Sequence, residues 1–158
     1  DSGSMYSLYC ARDLIDDDFL LLESDLIYEA RALDILIAYD NSDAVLLSGP
    51  TDAGDEVYVT APDGRLTGMS KDRSALACEP AGELVGISKV SRGLFAVMKN
   101  IAAEAFKDSL RYDYETDCLV EAAAKWEIFC PVIADLAWAE IDDPSHLKRA
   151  RDVVLPRL

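Results

Sequence analysis

Histidine and basic residues are scarce in this 158-residue sequence. It contains one histidine, His146, and 15 lysines and arginines against 30 aspartates and glutamates, so its formal net charge is −15. One histidine leaves almost no material for a histidine metal site or a Ser/His/Asp triad, and we expect His146 to be a surface helix residue. The acidic balance argues against nucleic acid as a partner, because phosphate backbones bind basic surfaces. We therefore expect any chemistry to use carboxylates, a lysine and a metal ion.

Long apolar runs and paired cysteines are also missing. No run approaches the roughly 20 residues that cross a bilayer, and the N-terminal DSGS lacks the features of a signal peptide. The four cysteines are widely spaced and form no CxxC pair, which argues against a zinc or thioredoxin-like site. We expect a cytoplasmic protein with reduced thiols and no membrane partner. With 51% apolar residues, the chain is predicted to fold as one domain over residues 1–158.

Short apolar strands alternate with helical patterns along the chain. The continuous apolar runs 19–22 and 44–47 are typical of strands buried on both faces of a parallel sheet. Asp63-Gly64, between two alternating segments, predicts a β-hairpin, and Gly86 inside an apolar strand indicates a close approach of backbone or ligand. Asp143-Pro144 predicts the start of a helix. Together these patterns predict an α/β fold with a mixed, mostly parallel sheet and an inserted hairpin.

Two acidic segments lie where ligands gather in α/β sheets. Asp25 follows an apolar strand, and Glu140 and Asp142 come just before a predicted helix. Two carboxylates about 4 Å apart repel by roughly 4 kcal/mol at an effective dielectric of 20, so such a pair needs a cation or a shared proton. Mg²⁺ suits it, because this ion takes oxygen ligands and uses one or two carboxylates. From the residues alone, an ordinary loop acid at Asp25 and a helix cap at Asp142 or Asp143 stay open as alternatives.

Five segments resemble a known family in their order. The segments FLLLESDLIYE, GMSKD, GELVGISKVS, DYETD and WAEIDDPSHLKRAR are similar to the nucleotidyltransferase-like family. The resemblance is greatest to its cytidylyltransferase branch, which acts on phosphocholine or 2-aminoethylphosphonate, and it runs from about Met5 to Arg151. It implies a Rossmann-like mixed α/β fold. Nothing matches the family's N-terminal strand and Gly-rich nucleotide-binding loop, so we expect the later two-thirds of the catalytic domain, inactive by itself.

The resemblance also implies an activity and a site. It implies a Mg²⁺-dependent transfer of CMP from CTP to a small phosphorylated or phosphonate amine, with release of pyrophosphate. By the same resemblance, Asp25 and Asp142 bind the Mg²⁺ cofactor, and Lys71 acts on phosphate as a catalytic group. The substrate-binding residues implied are Ser24, Glu83, Gly86, Tyr114, Glu115 and Glu140. An exposed hairpin position for Lys71 and a packing role for Tyr114 stay open.

Two alternatives remain open at this stage. Instead of an enzyme, the chain could be a non-catalytic acidic α/β module that binds a ligand or partner. The acceptor is also undecided, although we favour the phosphonate. A quaternary ammonium needs an aromatic cage, for which the candidates are Tyr28, Tyr112, Tyr114 and Trp126. A primary ammonium needs carboxylates, for which the candidates are Glu83, Asp113 and Glu115.

The expected partners follow from the implied activity. They are CTP, the small acceptor, and either an N-terminal fragment of the same protein or a second copy of the chain.

Overall fold

The computed structural model describes residues 2–158. The strands are β1 (Phe19–Leu22), β2 (Leu26–Tyr28), β3 (Ala44–Ser48), β4 (Tyr58–Thr60), β5 (Gly68–Ser70), β6 (Gly82–Val90), β7 (Val132–Ile133) and β8 (Trp138–Glu140). The α-helices are α1 (Ser4–Cys10), α2 (Arg31–Ala38), α3 (Arg92–Ala105), α4 (Val120–Ala123) and α5 (Pro144–Arg149). A π-helical turn, Tyr114–Leu119, leads into α4, and a second one, Ala150–Val154, follows α5. Among these residues no helix is long and apolar enough to cross a membrane.

The long strand β6 organises the main sheet. On one side it pairs with β3 along its length, and on the other side it pairs first with β4 and then with β1. The strands β5 and β7 complete the sheet in the order β5-β4-β6-β3-β7, while β2 and β8 form a separate two-stranded ribbon. The predicted mixed α/β fold class is therefore confirmed, and β4 and β5 form the predicted hairpin around Asp63-Gly64.

The direction of the strands differs from the prediction in one respect. Within the described residues, β3 and β7 form the one parallel strand pair, and the other pairs in the sheet are antiparallel. The strand β1 is also not buried on both faces, since Leu22 is 37% exposed. The expectation of a mostly parallel sheet was wrong here because an apolar run reports burial and not strand direction.

The sheet lies between two apolar cores. Alternate residues of β3 point to opposite faces, so Val45 and Leu47 join one core while Leu46 joins the other. The first core is closed by α1, α3 and the Tyr114–Leu119 turn, and the second by α2. Helices on both faces explain why β3 reads as a continuous apolar run, and they leave the strand ends free to carry polar side chains.

Candidate active site

The ribbon of β2 and β8 brings the two predicted acidic segments together. Leu26 pairs with Glu140 in antiparallel register, and the Ile141 N–H donates to the Asp25 carbonyl at 2.9 Å. Asp25 therefore lies beside the chain that carries Glu140 and Asp142, although more than a hundred residues separate them in sequence. The convergence expected from the sequence is present in the structure.

The acidic side chains form two neighbouring groups. Carboxylate oxygens of Glu23, Asp25 and Glu140 lie within 4.8 Å of one another. Asp142 lies instead with Asp55 and His146, within the same distance of each other. Asp25 and Asp142 therefore belong to two adjacent groups. Glu140 is near both aspartates, because each of them raises the pKa of Glu140.

Burial makes the negative charge at this site costly. Burial first, and then Asp142, Glu23 and Asp25, raise the pKa of Glu140 to about 7. Burial also raises the pKa of Glu23 and of Glu115. Among residues 2–158, none of the carboxylates Glu23, Asp25, Glu140 and Asp142 forms an ion pair with a basic side chain. The group therefore has unused capacity for a cation.

Glu23 is held in place by two other segments. The buried Tyr114 hydroxyl, in the π-helical turn, donates to Glu23 Oε1 at 2.6 Å. The Glu23 N–H donates to the Gly86 carbonyl, and its Oε2 lies so close to Gly86 that a Cβ there would be 2.2 Å away. A glycine at position 86 predicted that another group approaches the strand closely there, and that group is the Glu23 carboxylate. Gly86 also has a φ of +79°, which favours glycine.

Two cavities meet at these carboxylates. The small cavity, of about 70 Å³, is lined by residues that include Lys71, Trp138 and Arg149. The open cavity, of about 420 Å³, is lined by residues that include Ser24, Asp25 and Tyr114. Both cavities share three lining residues, which we call the acidic wall: Glu23, Glu115 and Glu140. The arrangement places carboxylates between one space that contains cationic side chains and another that contains none.

The remaining predicted site residues are not all at the acidic wall. Lys71 is exposed and reaches the small cavity, and Ser24 is exposed at the open cavity. Glu83 lies apart, where its Oε2 accepts from the backbone N–H and hydroxyl of Thr51. It lines a third cavity with Gly82 and Arg73. The roles predicted for these residues stay predictions.

Three residues at the site were not singled out from the sequence. Glu23 had a local signal, because it stands two residues before Asp25 on the same strand end, but Asp55 had none. His146 was expected as a surface helix residue, and it lies in α5 with its side chain 16% exposed and its Nε2 3.8 Å from Asp55 Oδ2. Its Nδ1 accepts at 3.4 Å from the N–H of Asp142, four residues earlier in the chain, whereas Asp55 comes from a distant segment.

Comparison with known proteins shows both a sequence and a structural likeness. The chain is 31% identical over 164 aligned positions to the CMP-5'-(3-aminopropyl)phosphonate synthase of Streptomyces rubellomurinus. That alignment covers 94% of the chain and 25% of the synthase, so the chain spans a quarter of this relative's length. No protein-family model matches the chain.

Two solved structures share the fold at low sequence identity. The inositol-1-phosphate CTP transferase from T. maritima superposes with a TM-score of 0.74 at 15% identity, over 91% of this chain and 57% of that one. The CTP:phosphocholine cytidylyltransferase from Streptococcus pneumoniae gives 0.66 at 12% identity, over 97% and 64%. The predicted resemblance to the nucleotidyltransferase-like family, in its cytidylyltransferase branch, is therefore confirmed, and the chain has the nucleotidyltransferase fold.

Proposed function

We propose that this chain carries the acceptor and metal side of a Mg²⁺-dependent cytidylyltransferase. The reaction transfers CMP from CTP to a small phosphorylated or phosphonate amine and releases pyrophosphate. The observation that supports this best is the convergence of Glu23, Asp25, Glu140 and Asp142 without a basic partner among the described residues. Because the chain spans a quarter of its curated relative, the proposal concerns the longer protein in which this chain would act.

The donor set fits Mg²⁺. The residues offer carboxylate oxygens from separate segments, which is the ligand type this ion prefers. Of these, Asp25 and Asp142, which lie in adjacent groups, are the proposed ligands. Glu140, whose pKa both aspartates raise, would be a further ligand or a neighbour that orients one. A bound Mg²⁺ would neutralise charge on the phosphates during transfer.

The protein's own side chains would position the reactants. An oxygen of the acceptor's phosphate or phosphonate forms a bond to the α-phosphorus of CTP, while the bond from that phosphorus to pyrophosphate breaks. The attacking oxygen is already ionised, so no protein base is required. Lys71 and Arg149, which line the small cavity, supply positive charge for the acceptor's anionic end.

Pyrophosphate release by the full-length protein tests this function. CTP and Mg²⁺ are supplied with 2-aminoethylphosphonate, 3-aminopropylphosphonate or phosphocholine in turn. We expect Asp25→Asn and Asp142→Asn each to lower kcat/KM by about 100-fold or more, because each removes a proposed metal ligand. Asp108→Asn, an exposed aspartate outside both cavities, is the matched control and should retain activity.

Two results would contradict the proposal. Unchanged activity in both aspartate variants would remove the metal assignment. Failure of the wild-type protein to release pyrophosphate with any acceptor would favour the non-catalytic binding module instead.

A further inference from the structure

The amino end of the acceptor can be assigned from the residues that face the two cavities. We propose that the protein takes an acceptor with a primary ammonium group and that Glu23 is the residue that recognises it. This inference rests on the proposed function and names the substrate class of the same site. It concerns Glu23, which the resemblance to the family did not single out.

The structure does not assemble an aromatic cage. Of the candidate aromatics, the Tyr112 hydroxyl donates to Glu121 and the Trp126 indole donates to Asp43, and neither residue lines either cavity. Tyr28 lies in the β2–β8 ribbon and lines neither cavity. Within the described residues the small cavity contains one aromatic side chain, Trp138, and the open cavity contains one, Tyr114. One ring in each space cannot surround a trimethylammonium group.

Glu23 has the geometry of a prepared hydrogen-bond acceptor. The Tyr114 hydroxyl takes one lone pair of Oε1 and fixes the side chain, and Gly86 leaves room for Oε2. An ionised carboxylate offers about four acceptor positions, so further positions stay free for a ligand. Glu23 lies in the acidic wall, between the two cavities, where Glu115 and Glu140 can accept from the same group. A primary ammonium has three N–H donors for such a wall, and a quaternary ammonium has none.

The same small cavity also contains groups for an anionic end. Lys71 and Arg149 are among its lining residues. The Trp138 indole N–H is buried and has no hydrogen-bond partner within residues 2–158, and Trp138 also lines this cavity. Carboxylates and cationic side chains in the lining of one cavity match a short zwitterion that bears an ammonium and a phosphonate or phosphate.

Glu23 has one competing role, because its carboxylate also lies near Asp25 and Glu140. As a metal ligand, Glu23 would matter equally for every acceptor. As the ammonium-binding residue, it would matter only when the acceptor has N–H donors. Two acceptors that differ only at nitrogen therefore separate the roles.

The experiment compares 2-aminoethylphosphonate with its N,N,N-trimethyl analogue on the full-length protein. Acceptor binding is measured by calorimetry with Mg²⁺, and kcat/KM is measured by pyrophosphate release with CTP. We expect Glu23→Gln to weaken binding of the primary amine by about 10- to 100-fold, the range for a hydrogen bond to a charged group. Binding of the trimethyl analogue should change by less than about threefold in this variant, and the KM for CTP should not change. Glu104→Gln, an exposed helix position, is the matched control, and thermal unfolding checks that each variant folds.

The outcomes separate this inference from the proposed function. A selective loss of affinity for the primary amine in Glu23→Gln supports the inference. Calorimetry shows this loss even if the protein releases no pyrophosphate, and in that case only the proposed transfer reaction is contradicted. Equal losses for both acceptors, or a wild-type protein that prefers the trimethyl analogue, overturn the assignment of Glu23. In either case continued pyrophosphate release leaves the proposed function standing.

Discussion

Glu140 illustrates how the surroundings of one side chain change its acid–base behaviour. An exposed glutamate is ionised at neutral pH, but burial and four neighbouring carboxylates raise the pKa of Glu140 to about 7. Burial and Glu23 together raise the pKa of Tyr114, so its hydroxyl stays protonated and keeps donating to Glu23. The site thus combines a carboxyl group that is partly protonated near neutrality with a phenol that is a permanent donor.

The raised pKa of Glu140 predicts a pH dependence of stability. The pKa is higher in the folded protein than the ordinary value of 4.5, so the folded state binds more protons between those two values. With a chelator present, stability should therefore fall as pH rises from about 4.5 to about 7. The measurement is the thermal unfolding midpoint across this range.

Glu140→Gln should reduce the loss of stability between pH 4.5 and 7, because the substitution removes the titrating group. Glu104→Gln, an exposed glutamate outside both cavities, should leave it in place. An unchanged pH profile in Glu140→Gln would contradict the assignment.

At the scale of elements, β6 connects the sheet to the site. Gly86 lies between the half of β6 that pairs with β4 and the half that pairs with β1. Its positive φ interrupts the regular strand, and the pairing of β3 with β6 shifts register between Val45 and Leu47. At that point the absence of a side chain lets the Glu23 carboxylate lie against the strand. A local irregularity in the longest strand thus fixes the position of the acidic wall.

Gly86→Ala should lower the free energy of unfolding more than Gly64→Ala, although both glycines have a similar positive φ. Gly64 is the matched control, because its φ is +75° and a Cβ there meets nothing within 4 Å. Both substitutions strain the backbone, which costs of order 1–3 kcal/mol. Only Gly86→Ala also displaces Glu23 and breaks its hydrogen bond to Tyr114, which adds about 1 kcal/mol.

Chemical denaturation of the two variants measures this difference. Equal unfolding free energies would show that Glu23 adapts without loss. The activity of Gly86→Ala then shows separately whether the position of Glu23 matters for the acceptor.

At the scale of the whole molecule, negative charge is both abundant and concentrated. The formal net charge is −15, and it includes the half-buried carboxylates of the acidic wall, which lie close to Asp25, Asp55 and Asp142. Any salt screens repulsion between exposed charges, with a Debye length of about 10 Å at 0.1 M. A divalent cation that binds the folded state at one site stabilises it beyond this general effect.

MgCl₂ should therefore raise the unfolding midpoint more than NaCl of the same ionic strength. The double variant Asp25→Asn/Asp142→Asn should lose this difference, because it lacks both proposed ligands. Asp40→Asn/Asp108→Asn changes the net charge equally at exposed positions and should retain it. The readout is thermal unfolding at pH 8, and an equal response of all proteins to both salts would contradict a Mg²⁺ site.

The sequence by itself determined the α/β class, the hairpin at Asp63-Gly64, the helix start at Asp143 and the two acidic segments. These features depend on local chemistry: turn residues, capping side chains and apolar periodicity act within a few positions. Asp143 indeed accepts from the N–H groups of Ser145 and His146.

Only the tertiary structure decided the direction of β1 and the surroundings of Glu23 and His146. These features depend on pairing between segments that lie far apart in the chain, such as β1 with β6 and Tyr114 with Glu23. Burial, which raises the pKa of Glu140, arises only when the β2–β8 ribbon brings both acidic segments to one place. Residue types fixed which groups are available for chemistry, and packing fixed which of them meet.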